Sequence, residues 1–189
     1  MHKNIALGVG AGLLFIVLAC ERERSPEEAA VHYEVGYEFY QREMCREAIV
    51  EFDKVVDLDP DLIDVYDKRG ECHVSLGEYA KAIDDFDEYI GRTDPDHNSY
   101  VDRAWAYIGL NQCNKAVEDF NRALNIYPKD EDSLLGRAVA YTCLELNVLA
   151  EQDINNLGQQ YEQSFVDELI KTAKKGDGGA IVEKLIQDE

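Results

Sequence analysis

The segment LGEYAKAIDDFDEY, residues 76–89, contains a pattern that recurs along the chain every 34 residues. We call a set of positions separated by this period a column. One column holds only alanine, and the column four residues later holds large apolar side chains: Ala48, Ala82, Ala116 and Ala150, then Phe52, Phe86, Phe120 and Ile154. A third column, sixteen residues before the second, holds small residues: Gly36, Gly70, Ala104 and Ala138. A period of this length predicts a repeated structural unit.

Each unit contains two stretches with the periodicity of amphipathic helices, joined by a short break such as the one at Gly77. A small residue on each helix lets the two backbones approach, and the large apolar residue one turn later fills the space beside them. A single helix pair cannot bury its apolar face, whereas stacked pairs can. The sequence therefore predicts an all-α fold built from stacked helix pairs.

The columns resemble the tetratricopeptide repeat over roughly residues 29–162. The family's aromatic place on the first helix is held by Phe39, Tyr107 and Tyr141, and prolines close two of the units. His73 departs from this aromatic place, and the fourth unit has no closing proline. The resemblance implies a right-handed superhelical solenoid of antiparallel helix pairs, with about four repeats and a C-terminal capping helix.

The same resemblance sets the expected boundaries. We expect the repeat array over residues 28–160 and capping helices over residues 161–189. The individual units are expected near residues 29–62, 63–96, 97–130 and 131–160.

The acidic residues of the opening segment are interpreted as structural, because a catalytic cluster would not recur in every unit. Asp85 belongs to a column of acids, and a cation stands eighteen residues after each member. The acids are Glu51, Asp85, Asp119 and Asp153, and the cations are Arg69, Arg103, Arg137 and Lys171. We expect each acid to pair with the cation on the first helix of the next unit. Pairing within a unit, over sixteen residues, is the alternative.

The N-terminal residues contain an uncharged run from Ile5 to Leu18. This run is short for a membrane-spanning helix and suits the apolar core of a secretory signal. Ala19 followed by Cys20 resembles the lipobox of bacterial lipoproteins. That resemblance implies a signal peptide over residues 1–19, acylation of Cys20 and a short tether over residues 20–27. An ordinary secreted or membrane-anchored chain is the alternative.

The lipoprotein resemblance also implies a location. The protein would be lipid-anchored in the bacterial cell envelope and would face the periplasm. Glu21 after the cysteine favours the outer membrane over the inner one. The formal net charge of −20 opposes binding to phosphate backbones, so we expect no nucleic-acid partner.

The tetratricopeptide resemblance implies a concave groove lined by the first helix of each pair. The family's inner positions correspond here to Tyr33, Tyr37, Tyr40, Asp64, Asp67, Glu71, Val101, Trp105, Ile108, Leu135 and Val139. Aromatic residues interrupted by acids suit an amphipathic, basic protein segment or peptide. The lysine and asparagine clamp that some relatives use for a peptide carboxylate is absent. The alternative is that the C-terminal helix folds back and fills the groove, since a large exposed apolar surface usually needs covering.

Four cysteines remain after Cys20, and an even number in an exported chain is compatible with two disulfides. The preferred pairs join neighbouring repeats, as Cys45–Cys72 and Cys113–Cys143. Four small buried thiols are the alternative. The chain has no zinc or redox spacing, phosphate-binding loop or nucleophile elbow. We therefore expect no metal, no cofactor and no enzymatic activity.

These expectations combine into one interpretation, in which a membrane-anchored scaffold of the bacterial envelope binds a protein or peptide through its groove. The alternative is a structural subunit of an outer-membrane assembly, secretion or pilus biogenesis complex.

Overall fold

The computed structural model describes residues 25–95, 97–157 and 161–188, and these ranges contain helices and no strand. The predicted signal peptide and Cys20 lie outside the described residues. The helices are α1 Pro26–Gln41, α2 Cys45–Leu58, α3 Asp64–Ser75, α4 Tyr79–Arg92, α5 His97–Gly109, α6 Cys113–Ile126, α7 Glu131–Cys143, α8 Asn147–Asn156, α9 Gln163–Ala173 and α10 Gly178–Asp188. No described helix is both long and apolar enough to cross a membrane.

The first eight helices form four consecutive pairs, and each pair packs against the next. Within the pairs, α1 packs on α2, α3 on α4, α5 on α6 and α7 on α8. Between the pairs, α2 contacts α3, α4 contacts α5, and α6 contacts α7. The predicted all-α repeat fold is therefore confirmed.

The sequence columns occupy matching places in successive helix pairs. The rings of Phe52, Phe86 and Phe120 are all fully buried. A Cβ atom added to Gly36 would lie 2.7 Å from the ring of Phe52, and one added to Gly70 would lie 2.8 Å from the ring of Phe86. The small residue on the first helix thus makes room for the ring on the second helix of the same pair.

The turn inside each helix pair also repeats. Four residues of one column have positive φ: Glu43 at 58°, Gly77 at 72°, Asn111 at 56° and Glu145 at 61°. In every case the next residue donates its backbone N–H to a carbonyl five positions earlier, over 2.8–3.0 Å. Only glycine adopts this left-handed conformation without a steric cost, so the two glutamates are strained.

The arginine column shows that the predicted acid pairing is wrong and that the alternative holds. Arg69 donates from Nε and Nη2 to Asp85, over 2.9 and 2.6 Å, within one helix pair. Its Nη1 donates to Asp53 of the preceding pair, over 2.8 Å. The planar guanidinium therefore links two repeats from a single side chain, because its donors diverge in a fixed fork.

The same geometry recurs in the later repeats. Arg103 binds Asp119 within its pair and Asp87 of the preceding pair. Arg137 binds Asp153 and Asn121 in the same way. Asp153 therefore pairs with Arg137 and not with Lys171, its predicted partner. In the first repeat Val35 replaces the arginine, and Glu51 instead accepts from His32 and Lys54, over 2.6 and 2.7 Å.

The two C-terminal helices turn back toward the array. The helix α9 packs on α7, and α10 packs on α5 and α9. Ile181 and Val182 of α10 are each only 2% exposed. The C-terminal segment therefore lies against first helices of the pairs, on the side where the groove residues were predicted.

Candidate functional site

The structure divides the predicted groove into an open part and a covered part. The open part, which we call the open groove, lies on α1 and α3 and contains Tyr33, Tyr37, Tyr40, Asp64, Asp67 and Glu71. None of these six residues is fully buried. The covered part lies on α5 and α7.

Three tyrosines of α1 form a stack along the open groove. The ring centroids of Tyr33 and Tyr37 are 6.1 Å apart, and those of Tyr37 and Tyr40 are 5.7 Å apart, both in stacked orientation. Residues three and four positions apart lie on one face of a helix, which explains the alignment. The stack presents a half-buried aromatic surface that retains polar hydroxyl groups.

Acidic side chains of α3 border the tyrosine stack. The hydroxyl group of Tyr40 donates to Glu71. Burial and this hydrogen bond both raise the pKa of Tyr40. Burial, followed by the nearby charge of Asp64, also raises the pKa of Tyr33. The two phenols therefore remain neutral hydrogen-bonding groups at physiological pH.

One lysine lies among these acids. Lys68 binds Asp67 over 2.9 Å and Glu71 over 2.7 Å, and its ammonium lies 5.5 Å from the ring centroid of Tyr40. Burial alone would lower the pKa of Lys68, but the hydrogen bonds to Glu71 and Asp67 outweigh it and raise the pKa. The lysine is therefore charged.

A third carboxylate, Asp102 of α5, approaches the same place. One oxygen from each of Asp67, Glu71 and Asp102 lies within 4.8 Å of the others. The ammonium of Lys68 offsets part of this charge, and the carboxylates still outnumber it. The open groove is therefore negative as well as aromatic, and sequence reasoning had not identified Lys68 or Asp102.

A cavity of about 460 Å³ lies where α3, α5 and α10 meet. Asp67 and Glu71 of the open groove line one side, and Trp105 lines another. The Trp105 ring contacts Phe120 edge-on, with centroids 5.4 Å apart. Val182 and Leu185 of α10 form an apolar wall. The cavity extends the open groove toward the third repeat.

The covered part contains four of the predicted groove residues. Val101, Ile108, Leu135 and Val139 are 7%, 1%, 0% and 0% exposed. They share one apolar core with Val166 and Leu169 of α9 and with Ile181 and Val182 of α10. A partner cannot reach them in this arrangement. The expectation of an accessible groove surface at these four residues is therefore wrong, because the C-terminal helices fill this part.

The start of α10 fits closely against the end of α5, the turn that follows it and the first residue of α4. The backbone N–H of Gly178 donates to the side-chain oxygen of Asn111 over 3.0 Å, and the Tyr79 hydroxyl donates to the Gly179 carbonyl over 3.3 Å. A Cβ atom on Gly178 would lie 1.8 Å from the carbonyl oxygen of Ile108. Only glycine can occupy this position without displacement of α10 or α5. The only sequence signal for this contact was the glycine pair at 178–179.

The cysteines are in two different states. Cys113 and Cys143 form a disulfide that joins the first residue of α6 to the last residue of α7. Cys45 and Cys72 are free thiols. The structure thus contains one of the two disulfides that the sequence suggested, and the second pair is not bonded.

The sequence comparisons match part of the chain to known proteins. Residues 97–130 match the family model described as Tetratricopeptide repeat, with the bounds of the third predicted unit. U-box domain-containing protein 70 from Oryza sativa subsp. japonica is 31% identical over 71 residues. The match covers 37% of this chain and 9% of the rice protein, so this chain spans less than a tenth of that relative's length.

Two solved structures share the fold. The crystal structure of MamA protein has a TM-score of 0.69 at 16% identity, and the match covers 86% of this chain and 90% of that chain. The first TPR of Spaghetti (RPAP3), bound to the HSP90 peptide SRMEEVD, has a TM-score of 0.60 at 21% identity, with coverage of 66% and 98%. These likenesses show a tetratricopeptide-repeat fold.

Proposed function

We propose that this chain, which has a tetratricopeptide-repeat fold, is a scaffold that holds a segment of another protein in its open groove. The observation that carries the proposal is the stack of Tyr33, Tyr37 and Tyr40 beside the acids of α3. Tyrosine supplies a large contact area at a small cost in side-chain entropy. A few tyrosines can therefore provide much of the binding free energy of an interface.

The chemistry of the open groove favours a basic, amphipathic partner segment. Its apolar side would lie on the tyrosine rings, and its lysine or arginine side chains would reach Asp64, Asp67 and Glu71. Support comes from the solved complex of Spaghetti, in which a domain of this fold holds the peptide SRMEEVD. That peptide carries three acids, whereas the open groove here is itself acidic, so we propose a partner of opposite charge.

A titration with two matched peptides tests this function. The probe is a fluorescein-labelled amphipathic helix of leucine and lysine, and its control carries glutamate at every lysine position. We expect the lysine peptide to bind, the glutamate peptide not to bind, and the affinity to fall as salt is added. Equal affinity for both peptides would exclude a charge-selective groove.

Two tyrosine variants localise the binding in the same assay. We expect Tyr37→Ala to lower the affinity for the lysine peptide by roughly tenfold or more, since a central aromatic contact contributes above about 1.4 kcal/mol of binding free energy. The control is Tyr127→Ala, because Tyr127 lies at the end of α6, outside the open groove, and is 51% exposed. A similar loss in the control would place the peptide elsewhere.

We propose further that Cys20 is acylated and that the scaffold is anchored in the bacterial cell envelope, facing the periplasm. The support is the sequence alone, in the uncharged run from Ile5 to Leu18 and the Ala19–Cys20 pair. Several acyl chains hold a protein firmly, since each buried methylene contributes about 0.8 kcal/mol. Mass spectrometry of the purified chain should detect a lipid on residue 20, and Cys20→Ser should move the protein to the soluble fraction. Unchanged membrane association of that variant would contradict the anchor.

A further inference from the structure

The free thiol Cys45 occupies the same repeat position as Cys113, which is two repeat lengths further along the chain. Each is the first residue of the second helix in its pair. Cys113 forms a disulfide with Cys143, and the residue equivalent to Cys143 in the second repeat is Ser75. The first junction between repeats therefore has a cysteine on one side and a serine in the place of its partner.

A second thiol lies beside that serine. Cys72 precedes Ser75 by three residues on α3, so both side chains lie on one face of the helix. Cys45 packs against the apolar cluster that contains Cys72. The first junction thus brings two thiols into one apolar cluster without joining them.

The two thiols differ in access. Cys45 is half-buried, and Cys72 is fully buried at 0% exposure. An oxidant from solution would therefore meet Cys45 first. Cys72 would be reached only through Cys45.

The two thiols also differ in acidity. The hydrogen bond from Cys72 outweighs burial and lowers the pKa of Cys45 to about 7. The same hydrogen bond and burial raise the pKa of Cys72. Because the thiolate is the nucleophile, Cys45 is suited to the first attack. Once Cys45 is bonded to the oxidant, its charge and its hydrogen bond no longer raise the pKa of Cys72.

We propose that Cys45 and Cys72 form a redox-active dithiol, which a small disulfide compound converts into a cross-link between the first and second repeats. Cys45 loses its proton and attacks one sulfur of the oxidant, so that a mixed disulfide forms and one thiolate leaves. The Cys72 sulfur then attacks the Cys45 sulfur and expels the second thiolate. The two protons of the cysteines go to the two released thiols, and the oxidant gains the two electrons that the cysteines lose.

The cross-link would lie beside the open groove. Cys72 directly follows Glu71, which accepts the hydrogen bond of Tyr40 across the same junction. Oxidation would fasten α2 to α3 at the place where the tyrosines of α1 meet the acids of α3. Formation of this cross-link requires no bound partner.

Oxidised glutathione is the probe, applied to the folded full chain in a Cys20→Ser background. We expect peptide mapping under non-reducing conditions to show a Cys45–Cys72 disulfide in addition to Cys113–Cys143. Recovery of both thiols in unbonded form after this treatment would overturn the proposal, and so would a stable glutathione adduct on either cysteine.

Two single variants separate the roles. We expect Cys72→Ala to retain one glutathione on Cys45, because the second attack is lost. Alanine is suitable at this position, since the equivalent residues Ala106 and Ala140 are fully buried in the later repeats. Cys45→Ser should take up no glutathione, because Cys72 is inaccessible. An adduct on Cys72 in that variant would contradict the assigned order.

A rate measurement distinguishes this pair from two inert buried thiols. In the Cys72→Ser variant the serine hydroxyl can still donate to Cys45. At pH 7 iodoacetamide should then modify Cys45 roughly fivefold faster than a thiol of ordinary pKa, after allowance for the lower nucleophilicity of a more acidic thiolate. A rate equal to or below that of an ordinary thiol would show that Cys45 is not activated.

Discussion

At Glu145 the chain turns from α7 into α8 with a φ of 61°, a conformation that L side chains rarely adopt. Its equivalent in the second repeat is Gly77, which has a φ of 72° and meets no steric cost. We expect Glu145→Gly to raise the free energy of unfolding by about 1 kcal/mol. Urea titration followed by circular dichroism measures the change.

The opposite substitution at the same repeat position is the control. We expect Gly77→Ala to lower the free energy of unfolding by about 1 kcal/mol, because alanine would be held in the left-handed region. A Cβ atom on Gly77 has no neighbour within 4 Å, so no packing clash contributes. Effects of the same sign for both variants would contradict the assignment of strain to this position.

The two acids that bind Arg103 differ in burial, so we expect them to contribute differently to the free energy of unfolding. The side chain of Asp119 is 1% exposed, and that of Asp87 is 52% exposed. We expect Asp119→Ala to cost about 3 kcal/mol of unfolding free energy, because it leaves a largely buried guanidinium without its bidentate partner. We expect Asp87→Ala to cost under about 1 kcal/mol. Comparable losses in urea titrations of the two variants would contradict this division.

The pairing of these acids illustrates what the sequence could and could not predict at the residue scale. The period identified the acid and arginine columns correctly. A spacing of sixteen and a spacing of eighteen residues are both preserved by a 34-residue period, so the period could not choose between them. The pairing is decided by which acids lie within reach of the forked guanidinium donors. That in turn depends on how the two helices cross.

At the scale of the element, α10 determines how much of the groove is open. Its first turn fits α5 only because Gly178 has no side chain. We expect Gly178→Ala to displace α10 and to accelerate hydrogen exchange of its amides by about tenfold or more, as local opening becomes easier. Mass spectrometry of the exchanged peptides reports the change.

The neighbouring glycine provides the control. A Cβ atom on Gly179 would meet its nearest neighbours at 3.9 Å, which is an ordinary contact. We expect Gly179→Ala to leave exchange of α10 unchanged or slower, since alanine favours the helix. Equal acceleration in both variants would show that the fit at Gly178 does not hold α10.

The sequence predicted α10 only in part. The apolar face with Ile181 and Leu185 could be identified from helical spacing. The alternative that the C-terminal helix covers the groove holds for the third and fourth repeats. Its docking on α5 in particular could not be predicted, because α10 lies outside the repeats and no periodic position indicates its neighbour. For the same reason four groove residues of the third and fourth repeats were expected on an open surface and are instead buried in the core.

At the scale of the whole molecule, the open groove and the outer side of α8 are surfaces of different kinds. The open groove combines tyrosines with carboxylates. The outer side of α8 presents Val148, which is 69% exposed, and Leu149, which is 39% exposed. The equivalents of this pair in the other repeats include the polar residues Arg46, Glu47, Lys81, Asn114 and Lys115. We assign partner binding to the open groove and not to α8, because the groove offers both aromatic and charged contacts, whereas Val148 and Leu149 are aliphatic.

Hydrogen exchange of the full chain, with and without a saturating concentration of the leucine and lysine peptide, tests this assignment most directly. We expect slower exchange in α1 and α3, where the tyrosines and acids of the open groove lie, with exchange in α8 unchanged. Protection confined to α8, or no protection at a concentration that saturates binding, would contradict it.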